Sequence, residues 1–212
     1  MIQYKETKKL YQGKYQHRIV LIGAGVHVFR GGNLDGAFKK LSALTVQSSD
    51  PNFYYSNAVK TQDDLNYLFD VYSTFSRMTD FTVRVETPWL SVYTNDEADI
   101  ISLKLINKNR VKAIYKPKIN LSDGEVVSTL PYDYKVSIKA KQDTQHAFIE
   151  WAKQFDTIRL PNSCVDILTN GRNWHVESYF YVKGDKTLTM AQLHLGGVIK
   201  KIERIVTRES AV

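Results

Sequence analysis

The chain holds a single cysteine in 212 residues, so Cys164 has no intrachain partner and a disulfide framework is excluded. A reducing, cytoplasmic setting is the expectation. No apolar run approaches the roughly 18 to 20 residues of a membrane span, and the opening MIQYKETKKLYQGKYQ has no apolar centre of the kind a secretory signal needs. No membrane partner is expected. Eleven glycines and five prolines are too few for a fibrous or low-complexity chain, and 43% hydrophobic residues suffice for a buried core.

Chemical signatures are scarce as well. There is no G-x-x-x-x-G-K-[ST] stretch, which excludes the phosphate loop of the commonest nucleotide hydrolases. Gly23-Ala24-Gly25 follows an apolar run, but the third glycine of a dinucleotide fingerprint would fall at Val28, and no acid stands about twenty positions on. The five histidines, His17, His27, His146, His175 and His194, are dispersed, without H-x-x-x-H spacing, so neither metal nor cofactor is expected. Cys164 has no basic neighbour within four residues and reads as a small buried side chain rather than a nucleophile.

What the chain does have is positive charge and aromatic rings. The net charge is +7, and 12% of residues are aromatic, thirteen of them tyrosines. Residues 1–60 carry nine bases and three acids, 61–100 two bases and eight acids, and 101–142 nine bases and three acids. Two positive blocks flank a negative one, a pattern that folds into a dipolar surface whose basic side meets a polyanion.

Periodicity supplies the elements. Tyr15 to Ile22 reads as a strand, and Leu34, Phe38, Leu41 and Leu44 mark a helix after Gly31-Gly32. A stronger helix runs from Gln62 to Ser76 behind a Thr61 cap. Phe81 to Glu86 and Leu90 to Thr94 alternate as strands, a helix capped by Asn95 follows, and Val111 to Lys116 is again a strand. A second pass begins at Tyr132 to Lys141, where Tyr134, Val136, Ile138 and Ala140 alternate with Lys135, Ser137, Lys139 and Lys141. Asp143 or Thr144 caps a helix carrying Phe148, Trp151, Ala152 and Phe155. A short strand Thr157 to Leu160, a brief helix after Pro161, a strand Trp174 to Lys183, a helix Asp185 to Leu195 and a strand Val198 to Thr207 complete it.

These passes predict an α+β chain of two tandem ferredoxin-like βαββαβ modules, residues 1–120 with a basic N-terminal segment and residues 131–212, joined by a linker at 121–130. The alternative is a single α+β domain with one mixed sheet. The doubled βαββαβ order, with Gly196-Gly197 ahead of the last strand, resembles the layout of the CRISPR-repeat endoribonucleases. That resemblance implies RNA-hairpin binding on paired modules and carries over no site residue.

The candidate site rests on cations interleaved with rings. Lys5, Lys8, Lys9, Lys14 and Arg18 alternate with Tyr4, Tyr11 and Tyr15, and Ile100 to Ser122 holds Lys104, Lys108, Arg110, Lys112, Lys116 and Lys118 with no acid. Lys112, Lys116 and Lys118 share one parity, as do Lys135, Lys139 and Lys141, so each set is expected on one strand face. Tyr179 and Tyr181 share a face of a later strand. Ammonium groups satisfy phosphates and tyrosine faces stack on unpaired bases, which predicts a non-enzymatic protein binding RNA or single-stranded DNA. Two alternatives stand beside it. One is a metal-independent endoribonuclease using His27 for proton transfer and Arg30 as a phosphate clamp; against it, the alternation Val26-His27-Val28-Phe29 makes His27 the polar member of a strand, which needs no role. The other is a structural subunit, cellular or viral, that meets a protein partner or further copies of itself.

Overall fold

The computed structural model describes residues 1–47, 59, 61–106, 108–139, 145–170 and 178–207; the expectations on Ser48 to Asn57, on Asp143 or Thr144 as a cap and on Trp174 to Glu177 lie outside them. The architecture is α+β, with two five-stranded mixed sheets and six α-helices among the described residues, in place of one mixed sheet. Two compact units result, Met1–Asn120 and Leu121–Val212.

In the first unit the strands are β1 (Gln3–Glu6), β2 (His17–Ile22), β3 (Phe81–Glu86), β4 (Trp89–Thr94) and β5 (Val111–Lys116), in the order β1-β5-β2-β4-β3. β1 runs parallel to β5, and every other pairing is antiparallel. Helices α1 (Leu34–Gln47), α2 (Gln62–Phe75) and α3 (Glu97–Ile106) supply the other half of the core. Ile19, Leu21, Leu90, Val92 and Ile114 from alternate strand positions meet Leu41, Leu68, Phe75, Ile100 and Leu103 from the helices, all at most 1% exposed. The side chain of Thr61 caps α2 by accepting from the Asp64 N–H at 3.2 Å. α3 is capped one residue later than its sequence suggests. Asp96 accepts from the Ala98 N–H at 2.8 Å, while Asn95 is engaged by the Gln16 N–H at 3.0 Å.

The two glycines after β2 have packing and backbone reasons. A Cβ on Gly23 would lie 2.4 Å from Cε1 of Tyr67 on α2, and Gly25 sits at a φ of 75°. The next residues, Val26–Phe29, form a 3-10 turn rather than a strand, because Val26, Val28 and Phe29 all turn into the core. His27 is therefore not an alternating strand residue.

The second unit repeats the plan. Its strands β6 (Glu125–Val127), β7 (Tyr134–Ile138), β8 (Ile158–Arg159), β9 (Ser178–Val182) and β10 (Ile199–Val206) stand in the order β6-β10-β7-β9-β8. Only β6, against β10, is parallel. β6 lies inside the 121–130 segment read as a linker, since Val126 and Val127 pair with Ile205 and Val206 and are buried. Helices α4 (His146–Ala152), α5 (Asn162–Asn170) and α6 (Asp185–Leu195) cover one sheet face. There Phe148, Cys164 and Ala191 pack on Val136, Ile138, Phe180 and Val182. Gly196-Gly197 closes α6 as a 3-10 turn leading into β10.

In both units the chain leaves its first strand on one side of the last strand and enters its second strand on the other. The connection, residues 7–16 or 128–133, therefore crosses a sheet face. Tyr11 lies 5.1 Å from Tyr93 and 6.2 Å from Tyr115, ring to ring, and Tyr132 stacks on Tyr181 at 5.8 Å. These three partners alternate with the core positions of their strands, so both crossings run over the face turned away from the helices.

Candidate nucleic-acid interface

The acidic stretch takes up three of the cations expected to bind phosphate. Lys14 pairs with Asp80 at 2.6 Å, Arg110 with Asp64 at 2.9 Å and Lys116 with Glu97. Hydrogen bonds from Lys14 and Lys116 hold the Asp80 and Glu97 carboxyls below the usual carboxylate range. Arg110 also lies over the Tyr67 ring, 4.5 Å from its centroid. The sequence puts these charges in separate blocks, but the acids of α2, α3 and the turn before β3 meet the cations of the segment after β1, the turn before β5 and the end of β5.

Arg18 is equally committed. It faces Tyr93 on one side and Tyr115 on the other through strand pairing, and its guanidinium carbon sits 5.1 to 5.9 Å from the centroids of Tyr115, Tyr93 and Tyr11. It donates to the Ser91 hydroxyl through Nη2 at 2.8 Å. Three rings close on one cation, which spends both on internal structure. Tyr15, expected as a stacking ring, is 6% exposed and donates to Asp80 at 3.1 Å.

The lysines of β5 do not share a face. Between Val20–Ala113 and Leu21–Val111 the register slips by one residue, and Lys112 is the residue passed over. Its Nζ lies 3.3 Å from the Trp89 ring centroid, whereas Lys116 turns to Glu97 at the start of α3. Lys108 is exposed beyond α3, and Lys8 and Lys9 are exposed in the crossing segment.

One group of predicted cations does converge. A groove of about 300 Å³ along β1 and the end of β5 is lined by Tyr4, Lys5, Glu6, Ile114, Lys116 and Lys118. Lys104 reaches in from α3, with Nζ 5.7 Å from the Tyr4 centroid. Tyr4 is 63% exposed. Among the described residues no ion pair involves Lys5, Lys104 or Lys118. Lys104, Lys116 and Lys118, from a helix, a strand and a loop, thus stand at the groove with Tyr4, whereas Lys5 pairs in register with Tyr115 and carries its Nζ 5.7 Å from that ring's centroid, on the opposite face of β1 from Tyr4.

In the second unit a row crosses the sheet on the face without helices: Glu203 of β10, Lys135 of β7, Tyr181 of β9 and Arg159 of β8. Beside it lie Lys201, Ser137 and Tyr179. Lys135 holds its Nζ 4.4 Å from the Tyr179 centroid, and Tyr179 meets Tyr181 edge-on at 5.5 Å. Glu203 is 3% exposed, and Lys201 donates to it at 3.1 Å. Lys139 is exposed just past β7, and Lys141 lies outside the described residues. Tyr132, Arg159 and Lys201 are not among the binding residues the sequence points to. The sequence pattern starts the strand at Tyr132, whereas β7 starts at Tyr134 and Tyr132 stacks on Tyr181.

His27 is half-buried, and its imidazole pKa lies below the ordinary value because of burial, with the charges of Lys40 and Arg30 adding to the effect. Arg30 is exposed, and its N–H donates to the His27 carbonyl at 3.1 Å. Burial raises the Cys164 thiol to about 12, which keeps it protonated. No family model, curated protein or solved structure matches the chain.

Proposed function

We propose that the chain is a nucleic-acid-binding protein for RNA or single-stranded DNA, with phosphates held in the groove around Tyr4. The observation that carries this reading is that Lys104 and Lys118, without an ion pair among the described residues, stand at one groove with the open Tyr4 ring. Each such lysine releases about one counterion on meeting a phosphate, so affinity falls as salt rises. Removing Lys104 or Lys118 is expected to lower the slope of log affinity against log salt by about one each. Affinity that stays flat from low to moderate salt overturns the reading.

The fold belongs to the same proposal. Setting aside β1 and β6, the remaining strands of each unit follow the order fourth, first, third, second with helices on one face, as in an elaborated ferredoxin-like βαββαβ module.

A second reading, the metal-independent endoribonuclease, draws on His27. An imidazole kept neutral by burial and by Lys40 and Arg30 is in the form a general base needs. Cleavage of labelled RNA in the presence of a chelator, lost in His27→Ala with binding retained, is its test; no cleavage by the wild type rejects it.

A further inference from the structure

The two sheets place a cation at one matching position and treat it in opposite ways. Arg18 on β2 and Lys135 on β7 each face a tyrosine of the neighbouring strand, Tyr93 and Tyr181, and each lies under the crossing segment that supplies Tyr11 or Tyr132. In the first unit the last-strand neighbour is Tyr115, and three rings enclose the guanidinium. In the second unit the last-strand neighbour is Glu203, which draws on Lys135 at 3.9 Å and Lys201 at 3.1 Å instead of adding a third ring. Tyr179 is left 39% exposed, with Lys135 over it and Arg159 and Lys201 on the same face. Cations outnumber the one carboxylate there.

We infer that the second unit alone carries a stacking site for an unpaired base, built on Tyr179 with Lys135 over one side of the ring; the first unit has the buried Ser91 at the matching register position, and Arg18 bonds to its hydroxyl there. This rests on the nucleic-acid reading and adds to it a division of labour. The first unit contributes charge, which does not distinguish paired from unpaired strands, and the second contributes the preference for unpaired ones. A ring stacks only on a base whose face is free, and in a duplex both faces are covered by neighbouring pairs.

The full-length protein is titrated by fluorescence anisotropy with a short labelled oligouridylate, an oligothymidylate of equal length and a duplex of equal length. Tyr179→Ala is expected to weaken single-strand binding roughly tenfold, with duplex binding unchanged and the salt slope intact. Tyr179→Phe keeps the ring and wild-type affinity, and Lys118→Ala weakens single strand and duplex alike. The strand on which the Tyr179→Ala loss falls names RNA or DNA as the source. Tyr179 is exposed, so unchanged circular dichroism is expected for both variants. Single-strand binding untouched by Tyr179→Ala, or an equal loss on the duplex, overturns the stacking site and leaves the nucleic-acid reading in place. A wild type that binds none of the three overturns both.

Discussion

Arg18 and Lys135 stand at the same node of two sheets with the same strand order, yet Arg18 is enclosed by three tyrosines and Lys135 lies beside a ring open to solvent. Two neighbours differ: the last strand offers Tyr115 in one sheet and Glu203 in the other, and the position two residues before the facing tyrosine is Ser91 in one and Tyr179 in the other. A guanidinium is planar and weakly hydrated, so it tolerates being sandwiched between rings. An ammonium is more strongly hydrated, and that of Lys135 has the Glu203 carboxylate 3.9 Å away.

Arg18→Met should accordingly act on stability and not on binding. It removes the bonds to the Ser91 hydroxyl and the contacts with Tyr11, Tyr93 and Tyr115. The expected cost is about 2 kcal/mol. Urea unfolding measures it, and an unchanged midpoint would show that the three rings hold together without the cation.

The helices and most strands are legible because their signals are local. The stripe Leu65, Leu68, Phe75 with its Thr61 cap defines α2, and α6 runs from Asp185 to Leu195 as its flanking glycines suggest. β1 is not legible. Its four residues QYKE are mostly exposed and gain strand form only by pairing with β5. The placement of the cations is hard to see in the sequence for the same reason. Parity along β5 puts Lys112 with Lys116, and only the register slip against β2 separates them. Likewise nothing local to Lys14, Arg110 or Lys116 signals a carboxylate partner 66, 46 or 19 residues away, by the numbering of Asp80, Asp64 and Glu97.

Stability should fall on mild acidification. Burial, the largest cause in each case, lowers the imidazole pKa of both His17 and His27 below 6.5. Lys116 adds to this at His17, against Glu97 and Asp96, which favour the charged form; Lys40 and Arg30 add to it at His27. The unfolded chain therefore binds protons that the folded one refuses. The contribution is full above about pH 6.5 and is lost as pH drops through the unfolded value toward the folded ones. The urea midpoint is expected to be lower at about pH 5.5 than at about pH 7.5, and the double variant His17→Gln, His27→Gln should flatten that drop. An equal drop in the variant would assign the effect to other groups.

Cys164 should be silent to reagents. It is fully buried on α5 among Val136, Phe180 and Ala191, and its thiol is held protonated up to about 12. A thiol-specific chromogenic reagent at neutral pH is expected to react only after denaturant is added. Prompt reaction of the native protein would mean that the second unit opens locally under native conditions.

Gly23 and Tyr67 make the sharpest packing prediction. The close approach of the Tyr67 ring leaves no space for a Cβ at position 23, so Gly23→Ala is expected to cost about 1 to 3 kcal/mol through displacement of α2. Tyr67 itself is 3% exposed, and its hydroxyl is buried without a hydrogen-bond partner among the described residues. Deleting that oxygen should remove a desolvation penalty while keeping the ring under Arg110, so Tyr67→Phe is expected to be neutral or to stabilise by up to about 1 kcal/mol. Tyr67→Leu should instead soften the Gly23→Ala penalty, because a smaller side chain leaves room for the methyl group. If the two substitutions prove additive in urea unfolding, the glycine is required for some reason other than the ring that lies against it.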